Sequence, residues 1–319
     1  LAQFYISQAR ATGDLRFLGY AESALMQWRG RLPVVPAVLV LDATILQSRH
    51  SFNAALSELD QALKAQPNDS QAWLTRATVL RVLGRYDEAS ASCVHLLNAD
   101  PVIAELCTQA VRGASGHLSS AYNAVVALPQ ETLSNAARAW RYSELGEMAV
   151  SRGEDDSAAH WFLEGLRLAP DDVYTRAAYA DLLLRERRPH EVVPLLNGCE
   201  SMEPMLLRIA IAQRQLNDPR LEQTQALLTS AFSVEEQRGE AVHRREQARF
   251  LLEVVQDPMA ALRAAQENWR VQREPADVLI LLRAAKAAQR PDAAAPAVQF
   301  VRQHGTEDVR FGPYLDQVR

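Results

Sequence analysis

The sequence is short of several things, and each shortage excludes something. Lysine occurs only at Lys64 and Lys286, although lysine and arginine together number 34. No basic run stands out from the interspersed acids, and the formal net charge is -5, so the electrostatic footprint of a nucleic-acid partner is missing. No apolar stretch approaches the roughly 20 residues that a membrane span needs. Three cysteines are too few for a disulfide scaffold. Alternating runs of Val, Ile and Thr are absent, which leaves little room for strands. Two further traits bear on origin. The chain opens on Leu1 rather than Met, and we take a native N-terminus, with room for an export signal, to have been removed. The preference for arginine over lysine fits a GC-rich bacterial genome.

What is abundant is alanine, leucine, glutamine and arginine, all helix formers. Apolar residues recur at spacings of three and four, as in Trp73, Leu74, Ala77, Leu80 and Leu83. Proline and glycine punctuate these segments. The stretch Gln71–Pro101 reads as a helix, a turn at Gly84–Arg85, a second helix and a closing proline. The pattern repeats. Ala55 to Ala89 and Pro67 to Pro101 are each one period apart, and Leu145, Gly146, Gly153, Ala158, Phe162 and Pro170 supply another copy. Gly116 and Ala121 keep the same internal spacing between them.

Trp73, Ala77, Gly84, Tyr86, Ala89 and Pro101, with the second set, resemble the tetratricopeptide repeat. The resemblance implies an all-α fold: a right-handed α-solenoid of antiparallel helix hairpins. Each hairpin is too short to be stable alone and leans on its neighbours. About nine fit the chain. We divide the single array into a degenerate hairpin at 1–34, the clearest repeats at 35–200, degenerate hairpins at 201–304 and a capping helix at 305–319. In the last group Asn217-Asp218-Pro219 and Asp257-Pro258 replace the glycine turn.

The family register places Thr44, Gln47, Gln71, Thr75, Thr78, Arg112, Ser143, Glu147, Tyr174 and Asp181 on the concave face of first helices. Some tetratricopeptide domains hold a C-terminal carboxylate there with lysines, asparagines and an arginine. That set is missing here, so a mixed polar groove for a protein or peptide segment is expected. A second polar cluster comprises His243, Arg245, Trp269, Gln272 and Arg273. Within it, "ENWRVQREPAD" (267–277) reads as the joint between two helices, with Pro275 opening the second and Asp277 in its first turn. The competing reading is a small-ligand or enzymatic pocket. A third is a structural subunit that self-associates through an apolar end near Phe4, Tyr5 and Ile6.

Motifs for chemistry fail on inspection. "HEVVP" at 190–194 lacks the second histidine of a zinc-protease helix. The seven histidines make no helical ligand pair. "GASG" at 113–116 has neither the spacing nor the lysine of a phosphate loop. No catalytic residue, metal or cofactor is therefore expected. Cys93 and Cys107 flank the connection at Asp100–Pro101 at similar distances. A disulfide between them is one reading, and two small buried hydrophobes the other. A bridge would favour a periplasmic or exported protein.

Overall fold

The computed structural model describes residues 1–30, 33, 35–237 and 243–315. Positions 31, 32 and 34 of the N-terminal segment expected above, 238–242, and 316–319 of the expected capping segment lie outside the described residues. Among those described, every regular element is a helix. In chain order these are α1 (Ala2–Thr12), α2 (Arg16–Met26), α3 (Pro36–Ser48), α4 (Phe52–Ala65), α5 (Ser70–Val82), α6 (Tyr86–Val94) and α7 (Pro101–Ala114). Then follow α8 (Leu118–Ala127), α9 (Asn135–Arg152), α10 (Asp155–Leu168), α11 (Val173–Arg185), α12 (Pro189–Leu195), α13 (Glu203–Leu216) and α14 (Leu221–Gln237). The last are α15 (Arg244–Arg249), α16 (Pro258–Trp269), α17 (Pro275–Ala287), α18 (Ala295–His304) and α19 (Gly312–Leu315). A π-helical turn, Phe250–Val255, extends α15.

The chain divides into two compact units, Leu1–Val111 and Arg112–Arg319. In each, the same local devices build the hairpins. Asp69, Asp172 and Asp257 accept the backbone N–H three residues on and so cap α5, α11 and α16. Proline opens α3, α12, α16 and α17, where its missing N–H costs nothing. Between the paired helices the chain turns through a left-handed residue. That residue is Gly13, Gly84, Gly116 or Gly153 in four hairpins, and His50, Arg187, Asn217, Gln256 or Gln289 in five. The conformation therefore persists where glycine has been lost.

Small residues set the spacing. Ala77, Ala89 and Ala158 are buried, the last two completely, and let paired helices approach closely. Gly146 shows how closely: a Cβ there would lie 2.3 Å from the ring of Phe162. In the first unit the structure joins Cys93 on α6 to Cys107 on α7, with Cα atoms 5.6 Å apart. Cys199 is a free, buried thiol. The N-terminal hairpin leaves Phe4 and Tyr20 exposed, while Ile6 is in its core.

The second unit closes on itself. Thr306 donates to the carbonyl of Ala114 at 3.1 Å, and Ser151 on α9 donates to Asp308 at 3.2 Å. Gly116 makes this return feasible, since a Cβ there would meet the carbonyl oxygens of His304 and Gly305 at 3.1 Å. Arg141 is almost wholly buried. It donates to the carbonyls of Val125 and Val126, where the last turn of α8 presents partial negative charge.

Candidate functional site

The first helices of the second unit carry ionisable side chains on one connected face. Glu147 stands on α9, Asp181 on α11, Arg208 on α13, Arg245 and Arg249 on α15, and Arg283 on α17. Asp181 is the hub. It accepts from Arg208 at 2.6 Å and from both terminal nitrogens of Arg249 at 3.0 and 2.9 Å. Arg249 also donates to Glu253, in the π-helical turn, at 3.1 Å, and Arg283 reaches the same carboxylate at 3.1 Å. Extra-wide turns of this kind re-aim side chains out of the regular helical register.

Electrostatics differ from group to group. Burial pushes Asp181 up, but Arg208 and Arg249 more than reverse this and hold it at about 2. Glu147 behaves oppositely. Burial raises it, and although Arg310 opposes, Glu144, Glu274 and Asp181 add to the rise, which brings it to about 7. Glu147 nonetheless keeps some solvent contact. It is crowded by protein on most sides, and only part of its side chain meets water. Tyr174, which is exposed, donates to it at 3.4 Å.

The second polar cluster is the joint. Arg245 donates to Asp277 at 2.6 and 2.9 Å, to Glu274 at 2.7 Å and to Gln272 at 3.4 Å. Asn268 donates to Asp277 at 2.7 Å, and Gln272 donates to Asn268 at 3.2 Å. Glu274 and Asp277 form a reciprocal capping box at the start of α17. Asn268, Gln272 and Asp277 are buried. The buried carboxyl of Asp277 is pushed up by desolvation, against the pull of Arg245. Trp269 packs edge-on against Phe300, and the guanidinium of Arg273 lies 5.9 Å from its ring centroid. These groups satisfy one another.

His243 does not join them. Its Nδ1 faces Glu203 Oε2 at 2.9 Å and Glu235 Oε1 at 2.7 Å. Burial would lower its pKa, but the two carboxylates reverse this and lift it to about 10.

This geometry belongs to a known architecture. A family model described as tetratricopeptide repeat matches residues 46–109. No curated protein sequence matches the chain. Among solved structures, a chain of the APC/C hetero-tetramer Cut9–Hcn1 superposes with a TM-score of 0.58 at 12% identity. The match covers 94% of this chain and 59% of that one. The human IFIT1 dimer with m7Gppp-AAAA gives 0.53 at 11% identity, covering 95% of this chain and 79% of that one. These likenesses show the fold, a helical solenoid of the tetratricopeptide type. No helix among the described residues is long and apolar enough to cross a membrane.

In the tetratricopeptide register the ten first-helix candidates separate. Glu147, Tyr174 and Asp181 come together in the charged face, while Gln47 and Arg112 are half-buried and Gln71 is exposed. Thr44, Thr75 and Ser143, expected on an open face, are buried instead. The hydroxyls of Thr44 and Thr75 turn back to carbonyls of their own helices, at Val40 and Gln71. Thr78 does the same to Leu74. Arg208, Glu253 and Arg283 were missed by the sequence reading. Arg249 had one legible signal, its place in the arginine-rich "HRREQAR" segment. Arg208 had none, being a single charge inside the apolar run from Met205 to Ala212.

Proposed function

We propose that the chain is a non-enzymatic scaffold that holds a peptide or protein segment on the charged first-helix face of its second unit. One observation carries this reading. Successive first helices present acids and bases of both signs on a single connected surface, where Asp181 alone bridges three helices through Arg208 and Arg249. Such a surface favours an extended partner that offers its own mixed charges, because each contact exchanges one paired ion for another and many weak exchanges add along the length. The Cys93–Cys107 bridge favours an oxidising compartment, hence an exported, periplasmic bacterial setting.

Site-specific photocrosslinking tests the assignment. A photoreactive residue at Tyr174, exposed on α11, should form an adduct with the partner in its native cell. The same residue at Leu163, exposed on the second helix α10, should not. Adducts from Leu163 alone would place the partner on the opposite face and end this reading.

A further inference from the structure

We propose that Glu203, Glu235 and His243 form a binding site for one divalent transition-metal ion, with zinc the best match. The three residues come from separate segments. Glu203 lies in the first turn of α13, Glu235 in the last turn of α14, and His243 directly before α15. One oxygen of each carboxylate and one ring nitrogen all lie within 4.8 Å of one another. Their side chains are 23%, 12% and 18% exposed. They are sheltered enough to exclude bulk water and open enough for an ion to enter.

The hydrogen-bond geometry is what points to a cation. His243 Nδ1 is the nitrogen that faces both carboxylate oxygens. It can carry one hydrogen, and one hydrogen cannot lie along two donor–acceptor lines at once. A positive centre among the three atoms would address all of them together. Zinc takes imidazole nitrogen and carboxylate oxygen at about 2.0–2.2 Å. In a tetrahedron that separates ligand atoms by roughly 3.3 Å. The nitrogen–oxygen distances need to open by only about half an ångström, a side-chain adjustment. One nitrogen and two oxygens suit zinc better than magnesium or calcium, which prefer oxygen alone.

Charge also balances. Two carboxylates and a neutral imidazole sum to minus two, which the ion cancels. On binding, the Nδ1 lone pair goes to the metal, the proton that nitrogen held leaves to solvent, and water takes the remaining position. The ion would tie the hairpin α13–α14 to the helix that begins the next. A search for ligand pairs at helical spacing cannot find such a site, because its ligands belong to three different elements.

Titration of chelator-stripped protein with zinc chloride, followed by calorimetry at neutral pH, tests the proposal. One ion per chain should bind in the micromolar range or tighter. Glu235→Gln and His243→Asn should each weaken binding by at least about tenfold, while Cys199→Ser should leave it unchanged. Circular dichroism shows whether the variants fold. If His243→Asn does not, the near-isosteric Glu235→Gln decides. Cobalt(II) in the same site should give visible absorption without a thiolate charge-transfer band. The proposal is overturned by absence of saturable binding to the wild type, by binding that Glu235→Gln does not weaken, or by binding lost in Cys199→Ser.

Discussion

At one position of the repeat the two units carry different chemistry. Thr44 and Thr78 stand in the first unit, Glu147 and Asp181 in the second, each the same number of residues before the left-handed residue that ends its hairpin turn. The threonines return their hydroxyls to their own helices. The acids reach across to other elements: Asp181 takes two arginines, and Glu147 sits among carboxylates and Arg310. The unit that contains the family match is chemically plain at this position. The unit that departs from the consensus carries the charge. Regular repeats are kept regular by packing, and a face that recognises something specific is free to drift from the pattern.

Asp181→Ala sharpens this contrast most. It leaves Arg208, which is buried, and Arg249, which is half-buried, without their shared carboxylate. Asp181 itself keeps about a third of its side chain exposed, so the cost should fall below the roughly 3–5 kcal/mol of breaking a fully buried pair, at about 2 kcal/mol. Thr78→Ala, the equivalent change in the first unit, removes a hydroxyl bonded within its own helix and should cost under about 1 kcal/mol. Urea denaturation of both variants measures the difference. Equal losses would mean that the charged network stabilises nothing. Acid adds a second readout. The carboxyl of Asp181 is held at about 2 in the folded chain, below its ordinary range. The stability it contributes is full above about pH 4 and is lost as pH falls through about 2. Asp181→Asn should remove that part of the acid transition.

The bridge is the first unit's counterpart. Cys93 and Cys107 are separated by 14 positions, and closing a loop of that size stabilises by roughly 3 kcal/mol in the chain-entropy description. Reduction should therefore speed amide exchange in α6 and α7 far more than in α9 or α11. Thiol counting on denatured, unreduced protein should find one reactive cysteine, Cys199. Three would remove the bridge from the comparison.

How much of this was legible in the sequence differs between the units for a physical reason. Helix periodicity, the alanines at the hairpin contacts and the capping aspartates act locally, so their spacing can be read from the chain. The joint at 267–277 was legible in the same way, since Pro275 and Asp277 announce the start of α17. The charged face depends on which side chains meet across helices far apart in sequence. Asp181 and Arg249 are paired by the fold, and no spacing rule joins them. His243 illustrates the failure further: it stands two residues from Arg245 but turns to Glu203 and Glu235 instead.

Glu147 offers a pH test with the opposite sign to that of Asp181. Burial and neighbouring carboxylates raise it to about 7, so the folded chain holds its proton where the unfolded chain has released it. Stability should therefore decline as pH rises from about 4.5 to about 7. Glu147→Gln should flatten that decline, raising stability at pH 8 and leaving it unchanged at pH 4. Thermal melts across the range check it. A variant whose profile matches the wild type would show that Glu147 ionises freely on an open surface.

The smallest expected effect concerns the turns, where the units also differ. Gly84 and Arg187 occupy equivalent places, with φ of 72° and 62°. Glycine adopts this backbone without a Cβ clash, whereas an L residue pays about 1–2 kcal/mol there. Against that, glycine loses more chain entropy on folding, by roughly 0.5–1 kcal/mol. The balance favours glycine slightly. Arg187 is exposed, so its side chain contributes little packing that the exchange would lose. Arg187→Gly should stabilise the second unit by about 0.5–1 kcal/mol, and Gly84→Ala should destabilise the first by a similar amount. Chemical denaturation of the two variants would show opposite shifts of similar size if the turns are the same device in both units. A loss from Arg187→Gly would mean that the arginine is kept for a contact of its own, and that the degenerate repeats differ from the regular ones at their turns as well as on their faces.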